Sequence, residues 1–142
     1  MNEILILDGY NVIHAWPMLK EKMTLNLENA REALMDQMIN YRGAAEYMPV
    51  ARVTNINHTI DDLKKQGIWV AGADMNGDDY TVAPLSGAIA LVIGAEGVGI
   101  SRLTREKCDF IVSLPVLGHI DSLNAAVAAG ILIYEVRRRR NN

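Results

Sequence analysis

Cysteine is nearly absent from this chain of 142 residues, Cys108 being its one thiol. No disulfide can form within the chain, and a reducing, cytoplasmic compartment is expected. No apolar run reaches the roughly 18 to 20 residues that a membrane span needs. The opening Met1-Asn2-Glu3 lacks the basic region of a signal peptide, so the sequence predicts neither anchor nor export. His14, His58 and His119 lack metal-ligand spacing and have no cysteine support, so no metal site is expected from them. Excess positive charge is missing too: the net charge of −3 does not advertise a nucleic-acid binder as a whole. Repeats, low-complexity tracts and Gly/Ser linkers are absent, which predicts a single domain over 1–142, large enough to bury a core.

Half of the residues are hydrophobic, which argues against disorder. Seven methionines supply adaptable core filler, and Trp16 and Trp69 read as core or interface residues. Cys108, beside an apolar strand, reads as an inert core thiol. Basic residues are local: Arg102, Arg105 and Lys107 form one group, and Arg137 to Arg140 form a tail. The tail suits a helix end whose cations complement the macrodipole, a phosphate contact, or both.

The apolar run Ile4 to Leu7 predicts a strand, ended by Asp8-Gly9-Tyr10-Asn11. Pro17 limits Val12 to Lys22 to short helical turns. Leu27, Ala30, Leu34, Met38 and Tyr41 have helical spacing, with Asn26 as cap and Gly43 as stop. Val50 to Val53 predicts a strand. Asn55 or Asn57 caps a helix carrying Ile60 and Leu63, which ends at Gly67. A strand over Ile68 to Ala71 leads to the polar loop Asp74 to Asp79. Strands follow at Ala88 to Ile93 and Phe110 to Leu114, with helices at Ile100 to Lys107 and Ser122 to Arg138. Strands alternating with helices imply an α/β fold, a mainly parallel sheet with helices on both faces.

Two glycine-punctuated loops stand at the carboxyl ends of predicted strands, where open α/β sheets bind ligands. One reads Gly94-Ala95-Glu96-Gly97 and the other Leu114-Pro115-Val116-Leu117-Gly118, followed by Ser122-Leu123-Asn124 at the head of the last helix. Any one such glycine is ordinarily just a tight turn. The three motifs in order resemble the SpoU branch of the SPOUT RNA methyltransferases, over about residues 43–142. That resemblance implies a SPOUT-like fold with a C-terminal trefoil knot and a homodimer paired through the last helix. It also implies S-adenosylmethionine as methyl donor and ribose 2′-hydroxyls of ribosomal or transfer RNA as acceptor.

By the same resemblance, Gly94, Glu96, Gly97, Leu114, Val116, Gly118, Ser122 and Leu123 would line the cofactor site. Main-chain groups of Leu114, Val116 and Leu123 would meet the adenosine, and Gly94, Gly97 and Gly118 would let the backbone come close. Glu96 and Asn124 are the candidate catalytic residues, Glu96 facing substrate or bonding within its loop and Asn124 holding the ribose. Ser122 is also a natural helix N-cap, so that of Ser122 and Asn124 one shapes the loop while the other touches substrate. The dimer face is expected on Ala125, Ala128, Ala129, Leu132 and Ile133.

Residues 1–42 resemble a different family. Ile4 to Asn11, His14-Ala15-Trp16-Pro17 and the helix with Asn29-Ala30-Arg31 look like the opening of a YacP-like NYN (PIN-like) ribonuclease domain. The combination resembles a chimera. The strand-helix-strand unit with which a SpoU domain begins, carrying a catalytic Asn and Arg, has no counterpart here, and Arg42 and Arg52 are merely near it in sequence. Methyl transfer is therefore expected to be impaired. The alternatives are a metal-dependent ribonuclease led by Asp8, with Asp74, Asp78 and Asp79 converging on Mg²⁺ or Mn²⁺, and a folded chimera without turnover.

Overall fold

The structure is a computed structural model, and it describes residues 4–7, 21, 29–30, 32–33, 51–95, 97–118 and 123–141. The chain divides into two compact units: Met1–Asp8 with Asn55–Asn142, and Gly9–Thr54. In the second unit residues 21, 29–30 and 32–33 are helical, the last four inside the stretch predicted as helix from Leu27 to Tyr41. Asp8, His14, Trp16, Arg42 and most of that helix lie outside the described residues.

The first unit carries β1 (Ile4–Leu7), α1 (Ile56–Lys65), β2 (Trp69–Asp79), β3 (Ile89–Ile93), α2 (Arg102–Lys107), β4 (Phe110–Ser113) and α3 (Ala125–Arg140). The four strands form one sheet in the order β1-β3-β2-β4, and every neighbouring pair is parallel. Central strand β3 is buried along its whole length, as an unbroken Ile-Ala-Leu-Val-Ile run requires when both faces are covered.

Successive side chains point to opposite faces, so the sheet feeds two cores. Ala71, Ile89, Leu91, Ile93 and Val112 meet Ala129, Leu132 and Val136 of α3, with Ala83 and Leu85 closing that side. Val70, Ala90 and Val92 meet Ile60 of α1 and Ile100, with Leu63, Cys108 and Ile111 packed around them. Helices thus cover both faces, as the alternation of strands and helices implied. Each fully buried Leu or Ile contributes roughly 1.5–3 kcal/mol of burial.

Asn55 is the cap of α1, its Oδ1 accepting from the amides of Asn57 at 3.0 Å and His58 at 3.2 Å. Ser101 caps α2 through Thr104, and α3 runs two residues further than predicted, to Arg140. Two expectations are corrected. Residues 51–53, predicted within a strand over Val50 to Val53, are exposed and belong to no strand among the described residues. The polar run Asp74 to Asp79, predicted as a loop, belongs to β2: the ladder with β4 shifts between Ala73 and Asp78, then resumes. Gly77 permits this, since a Cβ there would lie 2.6 Å from the Ile111 carbonyl. The expected knot involves the run from Leu114 into α3, and residues 119–122 of that run lie outside the described residues.

Candidate functional site

Parallel strands leave the sheet at one edge, so the segments after β3 and β4 emerge on the same side. Because β2 lies between those strands, its far end, Asp74 to Asp79, stands between the two glycine loops. This is the end of the sheet, beyond the carboxyl ends of its strands, at which open α/β sheets bind ligands.

The loop after β3 folds back on itself. The Gly99 amide donates to the Ala95 carbonyl at 2.8 Å, closing a small bridge. Gly94 is pressed against that bridge: a Cβ on it would stand 2.1 Å from the Gly99 carbonyl carbon, so no other residue fits. Gly97 and Gly99 take positive φ, +79° and +72°, conformations that side chains disfavour. Val98, at the tip, is exposed. Glu96 lies outside the described residues.

The loop after β4 begins with half-buried Leu114, which packs against the α3-side core, and passes half-buried Val116 to the exposed Leu117 and Gly118. Gly118 has φ of +127°, with open space where a Cβ would be. Ser122 lies outside the described residues. Leu123 is half-buried, and Asn124 is the N-cap of α3, its Oδ1 accepting from the Ala126 amide at 2.9 Å and the Val127 amide at 3.3 Å. The capping role that the sequence offered to Ser122 therefore falls to Asn124. That oxygen is engaged with the helix, and the amide NH₂ of Asn124 is the part left to face a substrate.

Sequence reasoning missed a pair that joins β2 to α2, beside the first loop. Arg105 Nη1 lies 2.9 Å from Asp74 Oδ1, and Arg105 Nη2 donates to the Asn76 carbonyl at 3.3 Å. Asp74 Oδ1 also accepts from the Asn76 amide, while Oδ2 stands 3.2 Å from where a Cβ on Gly99 would be. An isolated Asp in a polar run carries no periodic signal; only the β2 irregularity brings it to the loop.

Elsewhere the charges hold the fold. Asp109 accepts from the Val70 amide at 2.8 Å and pairs with Lys64 at 2.9 Å. Lys107 pairs with Asp61, tying α2 to α1. Burial, and then the neighbouring Asp109, push the Cys108 thiol up to about 11, which keeps it protonated at neutral pH. In the arginine tail, Arg138 and Arg139 grip the buried Glu135, and Arg139 also donates to the carbonyls of Tyr80, Thr81 and Ala83. Arg138 first, then Arg139, hold the Glu135 carboxyl down at about 2. Arg140 donates to the Gly87 carbonyl, so Arg139 and Arg140 fasten α3 to the β2–β3 connection. Arg137 is exposed.

The residues expected to form a dimer face divide differently. Ala129 and Leu132 are buried in the chain's own core, and Ala125 and Ile133 pack against it, because the sheet needs that stripe of α3 as its cover. The exposed apolar stripe is Val127, Ile131 and Tyr134, bordering a shallow concavity of about 420 Å³ lined by Tyr80, Gly130, Ile131, Tyr134, Glu135 and Arg138. Among the described residues no three His, Cys, Asp or Glu side chains gather to hold a metal ion. Asp74 is paired with Arg105 and Asp79 accepts from Thr81, so these acids serve local structure rather than converging as ligands. No helix among the described residues is long and apolar enough to cross a membrane.

The SpoU rRNA Methylase family matches residues 22–134. The match begins inside the stretch that resembles a NYN opening, and nothing in the comparisons supports a fusion or a chimera. YacO of Bacillus subtilis, named for the TrmH family of tRNA/rRNA methyltransferases, is 52% identical over 100 residues, which are 70% of this chain and 40% of that protein. The chain thus spans about two fifths of the length of such relatives. A structure from Porphyromonas gingivalis, named as an RNA methyltransferase of the TrmH family, superposes with a TM-score of 0.64 at 27% identity, covering 96% of this chain and 59% of that one. The SpoU methyltransferase AviRb from Streptomyces viridochromogenes, solved in complex with AdoMet, gives a TM-score of 0.63 at 23% identity over 98% of this chain and 60% of that one; this likeness bears on the fold.

Proposed function

The chain belongs to the SpoU rRNA Methylase family, and from that premise we propose that it is an S-adenosylmethionine-binding RNA 2′-O-ribose methyltransferase domain with impaired turnover. One observation carries the reading: both glycine loops that the family resemblance marks emerge at the same edge of the sheet, one on each side of β2. The donor set suits the ligand. The loops offer backbone at Gly97 and Gly118, with no atoms where side chains would be, and half-buried apolar groups at Leu114, Val116 and Leu123. Adenosine is a flat apolar ring edged with hydrogen-bonding atoms, and main-chain groups in an apolar slot match it.

Bound S-adenosylmethionine supplies an activated methyl group, so the protein's work is to bind, orient and remove a proton. Leu114, Val116 and Leu123 would hold the adenosine through their main chain, with Gly94, Gly97 and Gly118 letting the backbone come close; by family resemblance Glu96 and Ser122 belong to the same site. The Asn124 NH₂ would orient the ribose hydroxyl, and by family resemblance Glu96 is the other candidate catalytic residue. Deprotonation is the weak step, because the family's first-motif Asn and Arg have no counterpart. Losing general-base help forfeits about 10²- to 10⁴-fold in rate. Methyl incorporation from radiolabelled S-adenosylmethionine into ribosomal or transfer RNA should therefore be near background. Incorporation at an ordinary enzymatic rate would mean that Arg42, Arg52 or a second subunit supplies the missing group.

A second copy of the chain is the partner proposed for α3, through Val127, Ile131 and Tyr134 rather than the buried Ala129 and Leu132. In this reading the run from Leu114 to α3 is threaded as the family's knot.

A further inference from the structure

We propose that the Arg105–Asp74 ion pair is a positioning device that holds the first glycine loop in its ligand-binding shape; this rests on the cofactor reading above. The loop from Gly94 to Gly99 contains three glycines, two of them at positive φ, so little in its own chain keeps it in one conformation. Among the described residues its internal fastening is the Gly99–Ala95 hydrogen bond. The remaining support comes from outside. Asp74, in the irregular stretch of β2, brings Oδ2 against Gly99, leaving room for a glycine there and little more.

Asp74 is itself fixed by Arg105, which reaches across from α2 to its Oδ1 and to the Asn76 carbonyl. Both side chains are largely shielded, at 33% and 18% exposure, so water weakens the pair less than it would a surface bridge. One guanidinium thus locks the end of β2 and the helix that follows the loop, and the loop is held between them. If the pair is broken, the loop samples other shapes, and apparent affinity falls by the fraction of chains left competent.

The test measures S-adenosylmethionine binding by calorimetry on the full chain, together with amide hydrogen exchange of the unliganded protein. Arg105→Met should weaken binding about 10-fold, as when about a tenth of the loops remain competent. It should also speed exchange at the Gly99 amide. Arg105→Lys keeps a cation for Asp74 but loses the fork to Asn76, and should recover binding to within about 3-fold of wild type. Asp61→Asn breaks the Lys107 pair on the far side of α2 and should leave affinity within about 2-fold, since distant sites act independently. Unchanged affinity and Gly99 exchange in folded Arg105→Met, with wild type binding, would overturn the inference alone. An equal loss in Asp61→Asn would also overturn it, by showing that affinity follows overall stability. No binding by wild type would overturn the cofactor reading and this inference with it.

Discussion

Asn124 caps a helix with one atom of its side chain and leaves the other for the substrate role proposed above, and substitution separates the two. Its Oδ1 caps α3, so Asn124→Ala should cost about 0.5–2 kcal/mol in thermal or urea denaturation, while Asn124→Asp keeps a capping oxygen and should cost little. Equal stability of Asn124→Ala and wild type would remove the capping role. The sequence named Ser122 as cap because either side chain can do it; where the loop turns into helix decides, and that depends on tertiary structure. Gly94 is the opposite case, legible at once as a glycine at a strand end but not in its reason. The reason is the Gly99 backbone behind it, and Gly94→Ala should displace the loop and abolish cofactor binding, as calorimetry would record.

At the scale of elements, β3 and α3 were readable because their composition states their burial. An unbroken apolar strand implies cover on both faces, which β3 has, and Leu132 and Val136 fall on the stripe that covers one of them. Leu132→Ala should cost about 2–5 kcal/mol by emptying that contact. What the sequence hid is polar. Glu135 reads as a surface residue in a helix of apolar and basic side chains, yet it is buried under Arg138 and Arg139. Its carboxyl titrates at about 2 in the fold against an ordinary 4.5, so its ionised form favours the folded state. That stabilisation is complete above about pH 4.5 and is lost as pH falls toward about 2. The stability gap between wild type and Glu135→Gln, measured by urea denaturation, should be constant from neutral pH down to about 5 and shrink below it. A gap independent of pH would contradict this pairing.

At the scale of the whole molecule, the sheet end that carries both glycine loops and the exposed apolar stripe of α3 belong to the same compact unit. The loops were legible because glycine, proline and a strand end mark them in the chain. Part of the stripe expected to pair two subunits is the sheet's own cover, because small and large apolar residues line α3 on two sides and sequence alone does not say which side the sheet takes. Val127, Ile131 and Tyr134 remain outside, so sedimentation at tens of micromolar should show a dimer that Ile131→Asp converts to monomer. A wild-type chain that is monomeric there would count against the pairing. The central claim, however, is the pocket between the glycine loops. Isothermal titration of the chain with S-adenosylmethionine tests it most directly: saturable heat with one site per chain, lost in Gly94→Ala, is expected, and no heat or thermal shift at millimolar ligand would contradict it.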